Sequence, residues 1–315
     1  MRILLVRLDG IGDAAVCVPL VAALRESGHR VGVALTTRNA GLFAPHAIVA
    51  EHVLERIPWP AHGSTPESTA RANDEIAMMN YDVALIASEE PEAFALASPI
   101  PERVGFSTGL TRPLKSLWVR ARTTRTVVRS QRAGGEDAHE VEIMYRLGTG
   151  FVRDPAPPTA RRPLLETLLD RPATHVRDQT NIVVQAGTKW LATGVSRDVL
   201  RAVHAKLAPY ARVIAAPNEA EAVRELTGVV PETFPSVRAW VEALRAADLV
   251  VSVDTGAAHV AGMIAPRVVD VFPDENFGAQ VRRWRPWASP YRAFRASEVD
   301  AGPGSAFIEA ILDGF

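Results

Sequence analysis

Short apolar runs alternate with helical-period segments along the whole chain. Arg2 to Arg7, Val31 to Leu35, His52 to Leu54, Tyr81 to Ala87 and Arg103 to Phe106 read as strands in the first half. Asn181 to Ala186, Ala211 to Ala216, Leu249 to Val253 and Arg267 to Phe272 read as strands in the second. Most are rich in β-branched residues and end at Gly, Pro, Asp or Asn, as buried strands do. Between them, Ala14 to Glu26, Glu67 to Met79, His139 to Leu147, Ser196 to Leu207, Val237 to Ala247 and Ser305 to Leu312 carry helical patterns. Pro19 predicts a kink or a late start in the first helix, and Ser196 predicts an N-cap. This alternation predicts an α/β protein with parallel sheets.

A stretch rich in Pro and Arg, Pro155 to Pro172, divides the pattern and reads as a linker. The expected organisation is a Rossmann-like domain over 1–155, a linker over 156–180 and a second Rossmann-like domain over 181–300. A terminal helix over 301–315 is expected to pack back on the first domain.

Two strand exits stand out. In the second half, Leu249 to Val253 runs into Asp254-Thr255-Gly256 and then into the small-residue run Ala257 to Met263. That is strand, tight turn and helix, with Asp254 or Thr255 available as cap. Gly256, Ala257 and Ala258 let a ligand approach the backbone, and a helix N-terminus favours phosphate. His259 would point back over the same mouth; the plain alternative is a solvated helix residue beside a capping Asp254. In the first half, Arg2 to Arg7 runs into Leu8-Asp-Gly-Ile-Gly-Asp13. Gly10 and Gly12 lack the third glycine of the dinucleotide fingerprint, and Asp9 and Asp13 bring negative charge where phosphate would avoid it. The turn therefore reads as catalytic, unless Asp13 merely caps the helix.

Composition narrows the class. The chain has 315 residues, 47% hydrophobic and 23% charged, enough for two folded domains. A formal charge of −1 argues against bulk nucleic-acid binding. Cys17 is the one cysteine, so no disulfide framework exists and a reducing cytosol fits. Arg7, Asp9 and Asp13 interrupt any apolar core of a secretory signal, and no window approaches the roughly 18 apolar residues of a membrane span. Local charge is less even. From Arg103 to Arg132 every charged residue is basic, Arg112, Lys115 and Arg120 among them, with Leu117 and Trp118 interspersed. Such a run fits an anionic acceptor or an anionic bilayer surface, or else a solvated, partly disordered loop.

The parts suit transfer between an activated nucleotide donor and a separate acceptor, in a cleft between two sheet domains. Asp13 would take the proton of the acceptor hydroxyl. The helix dipole, Thr255 and Lys189 would stabilise a departing diphosphate, and Glu219 and Glu221 could bind ribose hydroxyls. No Asp-x-Asp pair or His/Cys cluster points to a metal.

The opening Val6-Arg-Leu-Asp-Gly-Ile-Gly-Asp13, with Pro19 and Leu24 beyond it, resembles that of the glycosyltransferase family 9 heptosyltransferases. Val251-Ser-Val-Asp-Thr-Gly-Ala-Ala-His-Val-Ala261 resembles the family's Asp-Thr-Gly-x-x-His signature. Arg103-Val-Gly-Phe106 and the helix opening at His139 fit as well. The resemblance implies a GT-B fold, with two facing Rossmann-like domains and an interdomain cleft. It implies inverting transfer without a metal or other cofactor, typically of heptose from ADP-heptose to a lipopolysaccharide-core acceptor, at the cytoplasmic face of the inner membrane with peripheral contact. By the same resemblance Asp13 is the base. Asp254, Thr255, Gly256 and His259 line the donor site, and Thr188, Lys189, Glu219 and Ala257 are expected to join them. Asp9, Gly10, Gly12, Arg112, Lys115 and Arg120 are expected to form the acceptor site. Two departures appear: Lys189 abuts Trp190 where the family spaces them by one residue, and Pro273-Asp-Glu275 stands where Gly-Pro-Thr is common.

Two other readings compete. One is a binding protein that keeps the nucleotide site without transferring, or a same-fold transferase for another nucleotide sugar. The other is a nucleotide-sugar epimerase or dehydrogenase, weakened by the missing third glycine.

Overall fold

The computed structural model describes residues 1–57, 63–129, 138–170 and 181–313. The chain divides into two compact units, Met1–Pro158 with Glu166–Asp170, and Thr159–Leu165 with Arg171–Phe315.

The first unit is built on six strands: β1 (Arg2–Val6), β2 (Arg30–Thr36), β3 (Ala50–Leu54), β4 (Val83–Ile86), β5 (Glu102–Ser107) and β6 (Arg125–Val128). They run parallel in the order β3-β2-β1-β4-β5-β6. Ile3 to Val6 of β1 are fully buried, as expected of a central parallel strand covered by helices on both faces. The strand order reverses at β1, so the crevice beyond the ends of β1 and β4 is the topological switch point where open α/β sheets bind ligands. Pro19 marks a late start: the chain forms a short helix, Ile11–Ala15, then a second, Val18–Glu26, with Pro19 in its first turn. There proline loses no hydrogen bond, since first-turn N–H groups have no partner within the helix.

The second unit carries β7 (Ile182–Gln185), β8 (Ala211–Ile214), β9 (Leu249–Val253), β10 (Val268–Phe272) and β11 (Tyr291–Arg295), parallel in the order β11-β10-β9-β7-β8. Its switch point lies between β7 and β9, where Val183 pairs with Val250 and Val184 with Val251. The helix Gly256–Ile264 after β9 is buried from Ala257 onward. Gly262 lets the loop after Trp284 close on this helix, since a Cβ there would stand 2.7 Å from the Pro286 backbone. The Ala288 and Ser289 N–H groups donate to the Gly262 carbonyl at 2.8 and 2.9 Å.

Two expectations change, and one of the readings left open falls away. The terminal helix, Ala306–Leu312, belongs to the second unit, where Phe307, Ile308, Ala310 and Ile311 join the core under β7, β9 and β10. The stretch expected to be linker contains a helix, Arg161–Leu168, while its part over 171–180 lies outside the described residues. The basic run is a helix, Pro113–Arg120, followed by β6, rather than a loop; Arg132 lies outside the described residues.

Candidate functional site

In the first unit the glycine turn sits at the switch point and is organised by Arg7, at the end of β1. Arg7 is 4% exposed. Its Nη2 donates to Asp13 Oδ1 at 2.7 Å, and its Nε stands 3.3 Å from Asp9 Oδ2. Its Nη1 donates to the Ala87 carbonyl at the exit of β4. Burial opposes the charge on Arg7, but its acidic neighbours outweigh that and hold the guanidinium above its ordinary range. Asp9 and Asp13 supply this effect at neutral pH, because burial pushes the nearby Cys17 thiol up to about 12.

The turn itself is fixed by further bonds. Asp13 Oδ2 accepts from the Gly10 N–H at 3.2 Å, closing the first turn of the helix. Ser88 accepts from the Leu8 N–H at 2.7 Å and donates to Asp9 Oδ2 at 2.6 Å. Asn39 donates to the carbonyls of Arg7 and Asp9, both at 3.2 Å. The carboxylates keep 32% (Asp9) and 38% (Asp13) of their side-chain surface exposed. Asp13 thus caps its helix and presents a half-exposed carboxylate at once, so the two readings of it are compatible. Arg7, Ser88 and Asn39 were not singled out from sequence. A charged residue closing an apolar strand was the available signal for Arg7.

The basic residues part ways. Lys115 pairs with Glu89, whose other oxygen accepts from Arg129 at 2.9 Å. Burial alone would raise the Glu89 carboxyl; its bonds to Lys115 and Arg129 outweigh this and hold it below the usual range. Arg129 also reaches the fully buried Glu140 at 2.5 Å. Arg112 and Arg120 are exposed and belong to no such network. Of the three basic residues assigned to an acceptor, these two pair with no acid among the described residues.

In the second unit the expected donor residues gather around the other switch point. Thr188 and Lys189 follow β7, Glu219 follows β8, and Asp254 to His259 follow β9. Thr255 is the N-cap, its Oγ1 accepting from the Ala257 N–H at 3.3 Å and lying 3.0 Å from Ser252 Oγ. Asp254 is therefore left to other work: its Oδ1 stands 3.3 Å from His259 Nε2. His259 is 6% exposed and leans on Trp284, with ring centroids 5.4 Å apart, so it is no solvated helix residue.

Glu219 folds over the turn after β7. Its Oε1 accepts from the Thr188 N–H at 3.2 Å and from the Thr188 hydroxyl at 2.6 Å. Gly187 makes room for it, since a Cβ there would meet Glu219 Oε2 at 2.8 Å. Glu221 is different: it is exposed and bidentate with Arg224 three residues on, a surface helix pair. Lys189 opens the short helix Lys189–Thr193 and is exposed, while Trp190 is buried and donates to the Gln185 carbonyl at 2.9 Å. Asp270, in β10 beside Ser252, escaped the sequence reading although it is the single charge in an apolar strand. It is fully buried, and neither carboxyl oxygen makes a well-formed hydrogen bond among the described residues. Among the described residues, no three His, Cys, Asp or Glu converge as a metal site.

Two parallel doubly wound units, each with a glycine-bearing turn at its switch point, define the GT-B class of fold. The solved structures similar to this chain are of that class. Heptosyltransferase WaaC of E. coli with ADP is 19% identical, covers 98% of this chain and 99% of its own, and has a TM-score of 0.69. A glycosyl transferase family 9 protein from Veillonella parvula is 13% identical over 93% of this chain and 85% of its own, with a TM-score of 0.67. ADP-heptose lps heptosyltransferase II of E. coli is 15% identical over 93% and 90%, with a TM-score of 0.60. No family model matches the chain, and no curated protein matches it in sequence. The fold of this chain is that of the family 9 glycosyltransferases.

Proposed function

We propose that the protein is a glycosyltransferase that moves a sugar from a nucleoside diphosphate to a hydroxyl of an anionic glycan or glycolipid. The observation that carries this reading is the Thr255-capped helix beside Asp254 and the buried His259, at the switch point of the second sheet. A helix N-terminus of this kind stabilises a diphosphate. In the transfer, negative charge grows on that diphosphate as the glycosidic bond breaks, and the Thr255 hydroxyl and Lys189 ammonium add to the dipole. Glu219 would accept from ribose hydroxyls. On the first unit, Asp13 would accept the proton of the attacking hydroxyl, and Arg112 and Arg120 would meet acceptor phosphates.

The more specific reading is inverting, metal-independent transfer from ADP-heptose to a lipopolysaccharide-core acceptor at the cytoplasmic face of a membrane. Its support is the shared fold with a heptosyltransferase solved with ADP. A second reading, a transferase of the same fold for another nucleotide sugar, is favoured by the loop after β10, where Pro273-Asp-Glu275 stands in place of the Gly-Pro-Thr common in the family. There Asp274 Oδ1 is engaged by the Ser297 N–H and hydroxyl at 3.1 and 3.0 Å. The test is a thermal-shift screen of ADP-, GDP- and UDP-sugars followed by a transfer assay, since a ligand that binds only the folded state raises the midpoint. A shift with ADP-sugars and release of ADP on adding acceptor are expected. Binding without release in the presence of acceptor would leave a nucleotide-sugar-binding protein, and bound NAD would indicate a dehydrogenase.

A further inference from the structure

Asp270 takes no part in the proposed transfer, yet it lies beside the donor turn. It pairs in register with Ser252 of β9, and parallel partners in register send their side chains to the same face of a sheet. Val251, Val253, Val269 and Val271 join the core with Phe307 and Ile311. Successive side chains alternate in a strand, so Ser252 and Asp270 face the other way. That face is covered by the helix Gly256–Ile264, which packs on β9 and β10 and carries His259. Ser252 Oγ stands 3.0 Å from Thr255 Oγ1, and the Asp254 N–H donates to the Val271 carbonyl at 3.0 Å. These bonds hold the turn next to Asp270.

Three buried carboxyl oxygens lack a well-formed hydrogen bond among the described residues: Asp254 Oδ1 and both oxygens of Asp270. Burial first, then the charge of Asp254, hold the Asp270 carboxyl well above its ordinary range. A carboxyl that keeps its proton has an O–H to donate. Asp254 Oδ1 is an acceptor, and its neighbour is His259 Nε2 at 3.3 Å. A diphosphate at the Thr255-capped helix competes for that imidazole, because a charged oxygen is the stronger acceptor. Asp254 Oδ1 would then lose its neighbour in a place closed to water, where an unpartnered acceptor is costly.

We propose that Asp270 is a positioning residue of the donor site: when a nucleoside diphosphate draws His259 Nε2 away from Asp254, the Asp270 O–H takes its place on Asp254 Oδ1. The proton stays on Asp270, and only hydrogen bonds are exchanged. In the free chain the buried acid costs stability. In the complex it fixes Asp254 and, through it, the turn under the phosphates. The inference rests on the donor reading of this turn.

The test is titration calorimetry of the full chain with ADP, in the wild type, Asp270→Val and Asp270→Asn. Valine removes the donor, whereas the asparagine amide keeps an N–H donor in its place. Asp270→Val should weaken ADP binding about tenfold, and Asp270→Asn should stay within about twofold of the wild type, given the worth of a hydrogen bond to a charged group. The NMR signals of the His259 ring, assigned with His259→Gln, add a readout that a purely structural role would not move. ADP should carry them to one position in the wild type and Asp270→Asn, and to another in Asp270→Val. Undiminished affinity in Asp270→Val, or an equal loss in Asp270→Asn, would overturn the inference and leave the donor reading in place. So would His259 signals that ADP leaves unmoved in the wild type. Failure of the wild type to bind ADP would overturn the donor reading and the inference together.

Discussion

Arg7 Nη2 donates to Asp13 Oδ1 at 2.7 Å, linking the end of β1 to the first turn of the helix that follows it. The carboxylate is thereby oriented in the folded chain, with its second oxygen on the Gly10 N–H. Asparagine at this position keeps the shape and the cap but removes the basicity. General bases typically contribute 10²–10⁴-fold, so Asp13→Asn should lower turnover by about that factor. Loss of the charge beside Arg7 should also destabilise the chain by about 1 kcal/mol. ADP affinity should not change, because the proposed donor residues belong to the other unit. Steady-state kinetics beside calorimetric ADP binding checks this. If Asp9→Asn is instead the crippling change, the base is Asp9 and Asp13 is a cap.

Glu219 and Gly187 offer a paired test of the ribose contact. The Gly187 position has room for a hydrogen but not for a methyl group, which would meet Glu219 Oε2 at 2.8 Å. Gly187→Ala should push the Glu219 side chain aside, while Glu219→Gln removes its charge in place. Both should weaken ADP binding roughly tenfold, the worth of a hydrogen bond to a charged group, with little change in melting temperature. Titration calorimetry reads both. Full affinity in the two variants would remove Glu219 from the site.

Much of this was legible in the sequence because parallel strands buried on both faces leave a strong apolar signature. All nine expected strands are present, and Ser196 caps its helix. The strands not expected, Arg125–Val128 and Tyr291–Arg295, lie at sheet edges, where one side faces solvent and charged residues break the run. The strand–turn–helix plan at the two glycine turns was legible because turn chemistry is local. Contacts that bridge elements were not. Ser88 reaches Asp9 across 79 positions, and Thr188 reaches Glu219 across 31. Nothing local in Glu221 says that it pairs with Arg224 rather than facing a ligand.

His204 sets an acid limit on stability. It is 2% exposed in the helix Arg197–Leu207, and burial pushes it down to about 4 from 6.5. The unfolded chain takes up a proton at this residue below about pH 6.5, while the folded chain refuses it until about pH 4. The unfolded state therefore binds more protons in that window, and stability falls as pH falls through it. At roughly 1.4 kcal/mol per unit, the loss reaches about 3 kcal/mol. Urea unfolding of the wild type and His204→Leu from pH 7.5 to 4 should show the variant losing less over this window. Parallel pH curves would mean that His204 is protonated in the folded chain.

Asp270 is a carboxyl with no well-formed hydrogen bond among the described residues, in the middle of β10 and paired in register with Ser252 of β9. Burial raises it well above its ordinary value, the charge of Asp254 adds to this, and the Val271 N–H opposes it weakly. The folded chain therefore keeps the Asp270 proton at pH values where the unfolded chain has released it. Between the unfolded value near 4 and the raised folded value the folded state binds more protons, so stability falls as pH rises. Valine matches the apolar strand and removes both the proton linkage and the unsatisfied oxygens. Asp270→Val should stabilise the chain at pH 7 by about 1–3 kcal/mol, the usual penalty of an unsatisfied buried polar group. The gain should shrink towards pH 4, where the carboxyl is protonated in both states. Urea unfolding at the two pH values measures this, and ADP titration of the same variant reads the donor turn. Destabilisation by valine at pH 7 would mean that Asp270 holds a bound water or another partner whose bonds outweigh its burial. Weaker ADP binding in a stabilised variant would show that the buried acid positions Asp254 and His259, and that the donor site keeps it at the expense of stability.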